Sequence, residues 1–403
     1  MRFKITYCIY LIISLFYEVI PLMGPITLRH ILTIVMLFMC YIEHGLKLDK
    51  FLKWYLVFLG FHAFVEVYTG FSAYIVNKIL GTYLASIALY LATKIMVKKY
   101  NAGDLIIKVL VIAGVVNAFV AIGQFYGSRI AQIIPQRLHI YIKEEYLELY
   151  EKDDLHGLYV GGLMGPVASG YFLSATSILA LYNKNNKISI YNWAAFAIII
   201  FGLFLVQERA GLASGIFCTL LFIAIFTIHN RKSIKSQDLV KFFATIVVIY
   251  IASCFVSIKD TRYFQLGLED EERPRLAFNA LKWVINNPLG GKNYYYSLGG
   301  GYPHNFLVNS LLFGGVIGGT VIIGIVFSQL LKILKIGLAY LVRGMSSPLL
   351  LSLGMAYLCY TINSFFHNYS LVTGGEIMFL LWGMTCSLIE MDKDIINLKS
   401  YHV

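Results

Sequence analysis

Asn305 to Leu331 reads NFLVNSLLFGGVIGGTVIIGIVFSQLL, a run without a single Asp, Glu, Lys or Arg. As a helix it extends about 40 Å, enough to cross the roughly 30 Å hydrocarbon core of a bilayer. Residues 299–304, immediately before it, read GGGYPH, so the run opens on a Gly-rich turn and an imidazole, His304. A titratable ring at the mouth of such a helix sets two expectations. The fold is a helical membrane fold, and its chemistry faces water at the bilayer surface.

The rest of the chain agrees. Of 403 residues, 58% are hydrophobic and 14% charged, with a mean hydropathy of +0.71; soluble domains carry about 25% charged residues. Apolar runs recur at 5–23, 26–43, 54–71, 74–93, 105–126, 162–182, 190–206, 210–228, 239–257, 305–331, 347–366 and 374–390. They predict an all-α polytopic membrane protein of about twelve spans over residues 1–403, as one domain. The opening Met1-Arg2-Phe3-Lys4 resembles a signal peptide, but Glu18 and Pro21 follow without a small-residue cleavage site, which favours an uncleaved first span. The six cysteines lie scattered in apolar segments and form neither a zinc pattern nor a disulfide framework.

The net charge of +11 would suggest nucleic acid in a soluble protein; here its distribution explains it. Short basic connections hold Lys47/Lys50/Lys53, Lys94/Lys98/Lys99, Lys184/Lys187, Arg231/Lys232/Lys235 and Lys332/Lys335/Arg343. The positive-inside rule assigns them, with Arg2 and Lys4, to the cytoplasm and places both termini there. The opposite face carries two long loops, 127–161 and 258–304. In the first, Glu144 to Glu151 suits an amphipathic surface helix; in the second, Arg273-Pro274-Arg275 opens a helix that Asn286-Asn287-Pro288 ends.

Several residues in these outward loops suit chemistry on an anionic, lipid-borne substrate. An imidazole titrates near neutrality, so His304 is placed to accept a proton from a hydroxyl, against the simpler role of an interfacial helix cap. Arg209 sits in a tight turn between two apolar spans, where a charge is costly without a partner or role. Either it pairs with Glu208, or its planar fork binds phosphate. Arg273 and Arg275 follow the acid run Glu269 to Glu272, which neutralises part of their charge; Arg262 is a weaker candidate. Four consecutive acids do not converge from one helix face, so no metal site is expected, and nothing implies a cofactor.

Gly314-Gly315 and Gly318-Gly319 lie inside an apolar run and suit close helix packing. Gly290-Gly291-Lys292-Asn293 lacks the spacing of a phosphate-binding loop. Tyr294, Tyr295 and Tyr296 suit either sugar stacking or interfacial anchoring. Glu18, Glu66, Lys78 and Glu376 fall inside apolar runs and either pair or line a transport path. His367-Asn368 forms a second polar pair on the outward face.

Across roughly residues 160–330 the chain resembles the bacterial O-antigen polymerase/O-antigen ligase family of integral-membrane glycosyltransferases. The resemblance rests on Arg209-Ala210-Gly211, on the loop from Arg273 through Trp283 to Pro288-Leu289-Gly290, and on His304-Asn305 followed by Leu307, Leu311, Gly315 and Gly318. One departure is Gln207-Glu208 before Arg209, where ligases carry a small hydroxyl residue. The resemblance implies a GT-C-like fold in the bacterial inner membrane with two larger periplasmic loops. It also implies undecaprenyl-diphosphate-linked donor and acceptor glycans and a chain-length regulator protein as partners, and no nucleotide sugar, metal or nucleic acid. His304 then corresponds to the catalytic histidine. Arg209 and one of Arg273 or Arg275 correspond to diphosphate-holding arginines, with Tyr302 and Asn305 beside the substrate. The expected activity is repeat-unit polymerisation, with ligation to lipid A-core as the near alternative and lipid-glycan flipping as one of another class.

Overall fold

The computed structural model describes residues 2–16, 21–23, 26–45, 47–138, 160–182, 184, 188–206, 208–229, 272–343, 347–366 and 370–391. The expected span at 239–257, the surface helix at 144–151, Glu18, Arg262, Glu269 to Glu271 and His367-Asn368 lie outside them. Apart from a short antiparallel hairpin of β1 (Pro21–Met23) and β2 (Ile26–Thr27), the described chain is helical.

The helices run α1 (Arg2–Phe16), α2 (Leu28–His44), α3 (Lys50–Tyr68), α4 (Ser72–Lys78), α5 (Leu84–Tyr100), α6 (Gly103–Phe125) and α7 (Arg129–Leu138). Then come α8 (Pro166–Ala180), α9 (Ile190–Val206), α10 (Arg209–His229), α11 (Glu272–Asn286), α12 (Lys292–Ser297), α13 (Phe306–Arg343), α14 (Pro348–Ser364) and α15 (Glu376–Met391). Among the described residues, five helical stretches are long and apolar enough to cross a membrane: Lys50–Tyr68, Ser72–Tyr100, Gly103–Phe125, Arg209–Phe226 and Phe306–Leu341. The other expected spans within the described residues form helices, but α1, α2, α8, α9, α14 and α15 have only 15 to 17 residues, short of the about 20 that a crossing helix needs. A hydropathy window counts the apolar residues of a turn with those of the helix it joins. The run 374–390, for example, includes the glycine turn before Glu376.

Interior polar groups tie the helices together, as expected where apolar contact alone gives little driving force. The Asn363 amide of α14 donates to Ser174 Oγ on α8 at 3.0 Å and accepts from Ser214 Oγ on α10 at 2.6 Å. Asn117 and Gln124 of α6 bind the turn that leads into α8: Leu163 N–H reaches Asn117 at 2.6 Å, and Gly161 and Gly162 N–H reach Gln124 at 2.9 and 2.8 Å. Glu376, one of the acids inside the apolar runs, pairs with Arg29 and joins α15 to α2.

The longest helix, α13, is broken. Gly315 has φ +64°, outside the helical region and rarely adopted by residues with a Cβ. The break receives the Pro288–Gly291 turn: Val316 N–H donates to Pro288 O at 2.8 Å, and Gly291 N–H to Leu312 O at 2.9 Å. A Cβ at Gly315 would lie 2.3 Å from Leu289 O. The glycine run thus does more than permit close packing. Gly314 and Gly318 do lie against Phe58 and Phe61 of α3, while Gly315 opens the helix to admit a loop.

Candidate functional site

His304 is set by what surrounds it. Pro303 precedes it, α13 starts two residues later, and its own backbone is left-handed at φ +41°, uncommon for a residue with a side chain. Upstream, Gly300 lies flat against the Tyr295 ring, where a Cβ would come within 2.4 Å of ring carbon. Tyr302 stacks on Tyr296 at 5.7 Å and meets the His304 ring edge-on at 5.0 Å. Asn305 caps α13: its Oδ1 accepts Leu307 N–H at 2.9 Å and Val308 N–H at 3.2 Å, and its Nδ2 points to Phe365 O at 3.5 Å. Its side-chain carbonyl therefore carries a structural bond.

Arg273 and Arg275 flank Pro274 in the first turn of α11, as the sequence predicts. The apolar face of α11 is seated on α13 beside His304 through Ala280, Val284, Tyr295, Val308 and Leu312. Arg275, Asn279, Lys282 and Trp283 line a recess of about 540 Å³ against Tyr295 and the 298–301 turn. Arg209 is the first residue of α10. Glu208 before it is buried, and its carboxylate accepts the Gly211 N–H, capping the helix. The start of α10 reaches the His304 region through α14: Ser214 bonds Asn363, and Phe365 packs on Phe306 at 5.7 Å. His304, Tyr302, Asn305, Arg209, Arg273 and Arg275 thus share one end of the bundle, on three separate helix starts.

Lys292 and His62 also lie at that end, and neither is among the site residues expected from the sequence. Lys292, heading α12, lies among Tyr74, Tyr296 and Phe313. Burial first, then the nearby Lys78, pushes its ammonium down to about 8, with Glu66 partly opposing. His62 and Glu66 are one turn apart on α3 and both fully buried. That i, i+4 spacing of two ionisable residues within an apolar run was the legible signal.

A metal site is suggested elsewhere: Asp49, Cys386 and Glu390 bring ligand atoms within 4.8 Å of one another at the far end of the bundle. Lys94 Nζ already sits 2.5 Å from Asp49 and 3.0 Å from Glu390, so an ammonium fills the place of a cation. Compared with protein-family models, curated proteins and solved structures, the chain matches none of them.

Proposed function

We propose that the chain is a twelve-span, GT-C-like membrane glycosyltransferase that polymerises lipid-diphosphate-linked glycan repeats at the outer face of the bacterial inner membrane. The observation that carries this reading is the gathering of His304 and three guanidinium groups on helix starts at one end of the bundle. The basic connections support the orientation. Lys94, Lys98, Lys99 and Lys184 pair with Glu390, Asp49, Glu43 and Asp104 at the other end, which the positive-inside rule makes cytoplasmic.

In this mechanism the acceptor sugar hydroxyl gives its proton to the His304 imidazole as its oxygen attacks the donor's anomeric carbon. The bond from that carbon to the diphosphate oxygen breaks, and the configuration inverts. Negative charge grows on the departing diphosphate, where planar guanidinium groups of Arg209 and of Arg273 or Arg275 stabilise it. Tyr302 holds the imidazole from its edge.

Arg209 offers the test. Arg209→Lys keeps the charge and loses the bidentate fork, so transfer from a lipid-diphosphate donor should fall in part, and in Arg209→Ala almost wholly. Full donor turnover by Arg209→Ala at equal protein level would leave the residue a structural role only. Cells lacking the chain should still attach single repeats to lipid A-core. Bare core with polymer retained on the carrier would make the enzyme the ligase instead.

A further inference from the structure

Helix α11 presents three kinds of side. Ala280 and Val284 are buried against Val308 and Leu312 of α13. Arg275, Asn279, Lys282 and Asn286, spaced i, i+4, i+7 and i+11, are exposed and make a polar stripe. Between these two sides Phe278, Leu281 and Ile285, spaced i, i+3 and i+7, make a second apolar stripe, which Leu289 extends past the end of the helix. Phe278 is 67% exposed and Ile285 70%, so this stripe packs on no described part of the protein. In water such a stripe invites association. A helix that only packs on its own protein has one apolar side, and α11 has two.

The depth of α11 explains the second. Lys332 is the first charged residue of α13 after its start at Phe306. About 20 residues of helix, roughly 30 Å, span the hydrocarbon core, and counted back from Lys332 they end at Leu312. The turn that follows α11 is hydrogen-bonded at that level, through Gly291 N–H to Leu312 O and Val316 N–H to Pro288 O. Leu289 therefore lies beside Val316 and Ile317, exposed apolar residues of a helix long enough to cross the membrane. The second stripe of α11 continues the lipid-facing side of α13. With 15 residues and a polar stripe along its length, α11 is itself too short to cross. Its basic residues border the apolar stripe: Lys282 is four residues from Phe278 and three from Ile285, and Arg275 is three from Phe278. An apolar side flanked by cations is the pattern of a helix lying in a membrane interface.

We propose that α11 lies along the membrane surface, with Phe278, Leu281, Ile285 and Leu289 in the upper acyl region of the nearer leaflet and Arg275 and Lys282 at the level of its phosphates. The partner of this surface is the lipid itself. So placed, α11 holds the recess lined by Arg275 and Lys282 at the depth where the phosphate of a lipid-borne molecule lies. The proposal needs α13 to span and does not need the transfer mechanism.

The test is fluorescence quenching in the full-length protein, in nanodiscs of phosphatidylethanolamine and phosphatidylglycerol. An environment-sensitive fluorescent amino acid replaces Phe278, Ile285, Asn279 or Asn286 in turn; all four are exposed, so the fold is not at stake. An interfacial helix sinks its apolar side about 5–10 Å into the boundary of headgroups and acyl chains, so lipid brominated high on the acyl chain should quench at 278 and 285 about threefold more than at 279 and 286. Iodide in the water should show the reverse order. Equal iodide quenching at 285 and 279 would leave the stripe in water. Weak quenching by both agents at 278 and 285 would mean that protein covers it, and strongest quenching by bromines at the chain ends would put the helix near the bilayer centre. Each of these three results overturns the proposal. Sugar transfer does not enter the readout, so the stripe and the transfer mechanism stand or fall separately.

Discussion

At one end of the bundle Lys94 lies between two carboxylates, Asp49 at 2.5 Å and Glu390 at 3.0 Å, while Lys98 shares Glu390 and Lys99 takes Glu43. At the other end Lys292 is held by three rings and one hydroxyl. Both are lysines in partly buried surroundings, yet their partners differ in kind. The first set is saturated: each ammonium has its counter-charge, and the Tyr90 hydroxyl adds a 2.5 Å bond to Asp49. Burial favours a protonated Asp49, but the Leu52 amide, Lys94 and Tyr90 together outweigh it and hold the carboxyl below its usual value. At the second, no carboxylate among the described residues forms an ion pair with Lys292. A saturated network serves to fix helices, whereas a buried ammonium without a carboxylate costs stability.

That contrast breaks most visibly on the opposite signs of one substitution. Lys94→Met leaves Asp49 and Glu390 without their shared cation, which should cost about 1–3 kcal/mol after allowance for their partial exposure. Lys292→Met removes a charge that the fold disfavours, and the lost ring contacts offset part of the gain. The net should lie between neutral and about 2 kcal/mol stabilising. Melting temperatures of the two variants in one detergent read this directly, and equal losses would erase the distinction.

The pH dependence sharpens it. Lys292 titrates at about 8 in the fold and near 10.4 unfolded. Its penalty is therefore complete below pH 8 and is relieved as pH rises toward 10, so wild-type stability should climb toward that of Lys292→Met over that window. Asp49 has the opposite sense. Its depressed carboxyl stabilises the fold above about pH 4, and the benefit fades as pH falls through the folded value, so Asp49→Asn should differ least from wild type in acid.

A smaller steric effect is expected at the His304 end. Gly300→Ala drives a Cβ into the Tyr295 ring and should cost about 1–3 kcal/mol, visible as lowered melting and a loosened 299–304 turn. The smallest is Lys184→Ala. Its 3.8 Å pair with Asp104 is largely solvated and should shift stability by no more than about 0.5 kcal/mol. Labelling joins both ends in one experiment: Leu298→Cys should react with an impermeant thiol reagent from outside the cell, and Lys50→Cys should not.

Much of this was legible in the chain. Residues 190–206 form a helix over that range, and Arg273-Pro274-Arg275 opens a helix that stops at Asn286. Both follow from local signals, an apolar run bounded by polar residues and a proline tolerated in a first turn. Two of the basic connections, at Lys47 and at Lys94, Lys98 and Lys99, line one recess. What escaped the sequence depends on partners distant along the chain. A glycine inside an apolar run reads as helix packing, and nothing nearby tells that Gly315 opens to receive a turn some 25 residues upstream. Asn305 reads as a residue beside the substrate, and its sequence neighbours do not tell that its carbonyl also caps α13. Lys292 reads only as part of a glycine run that lacks phosphate-loop spacing, and nothing nearby tells that it lies among Tyr74, Tyr296 and Phe313. Hydropathy registers composition, and these features depend on how distant segments close on one another.

The most direct measurement is glycosyl transfer by purified His304→Ala in proteoliposomes supplied with a lipid-diphosphate-linked repeat unit. Loss by at least about 10²-fold, with donor binding and melting temperature retained, is the result expected of a general base at the mouth of α13. Transfer at the wild-type rate by that variant would contradict it.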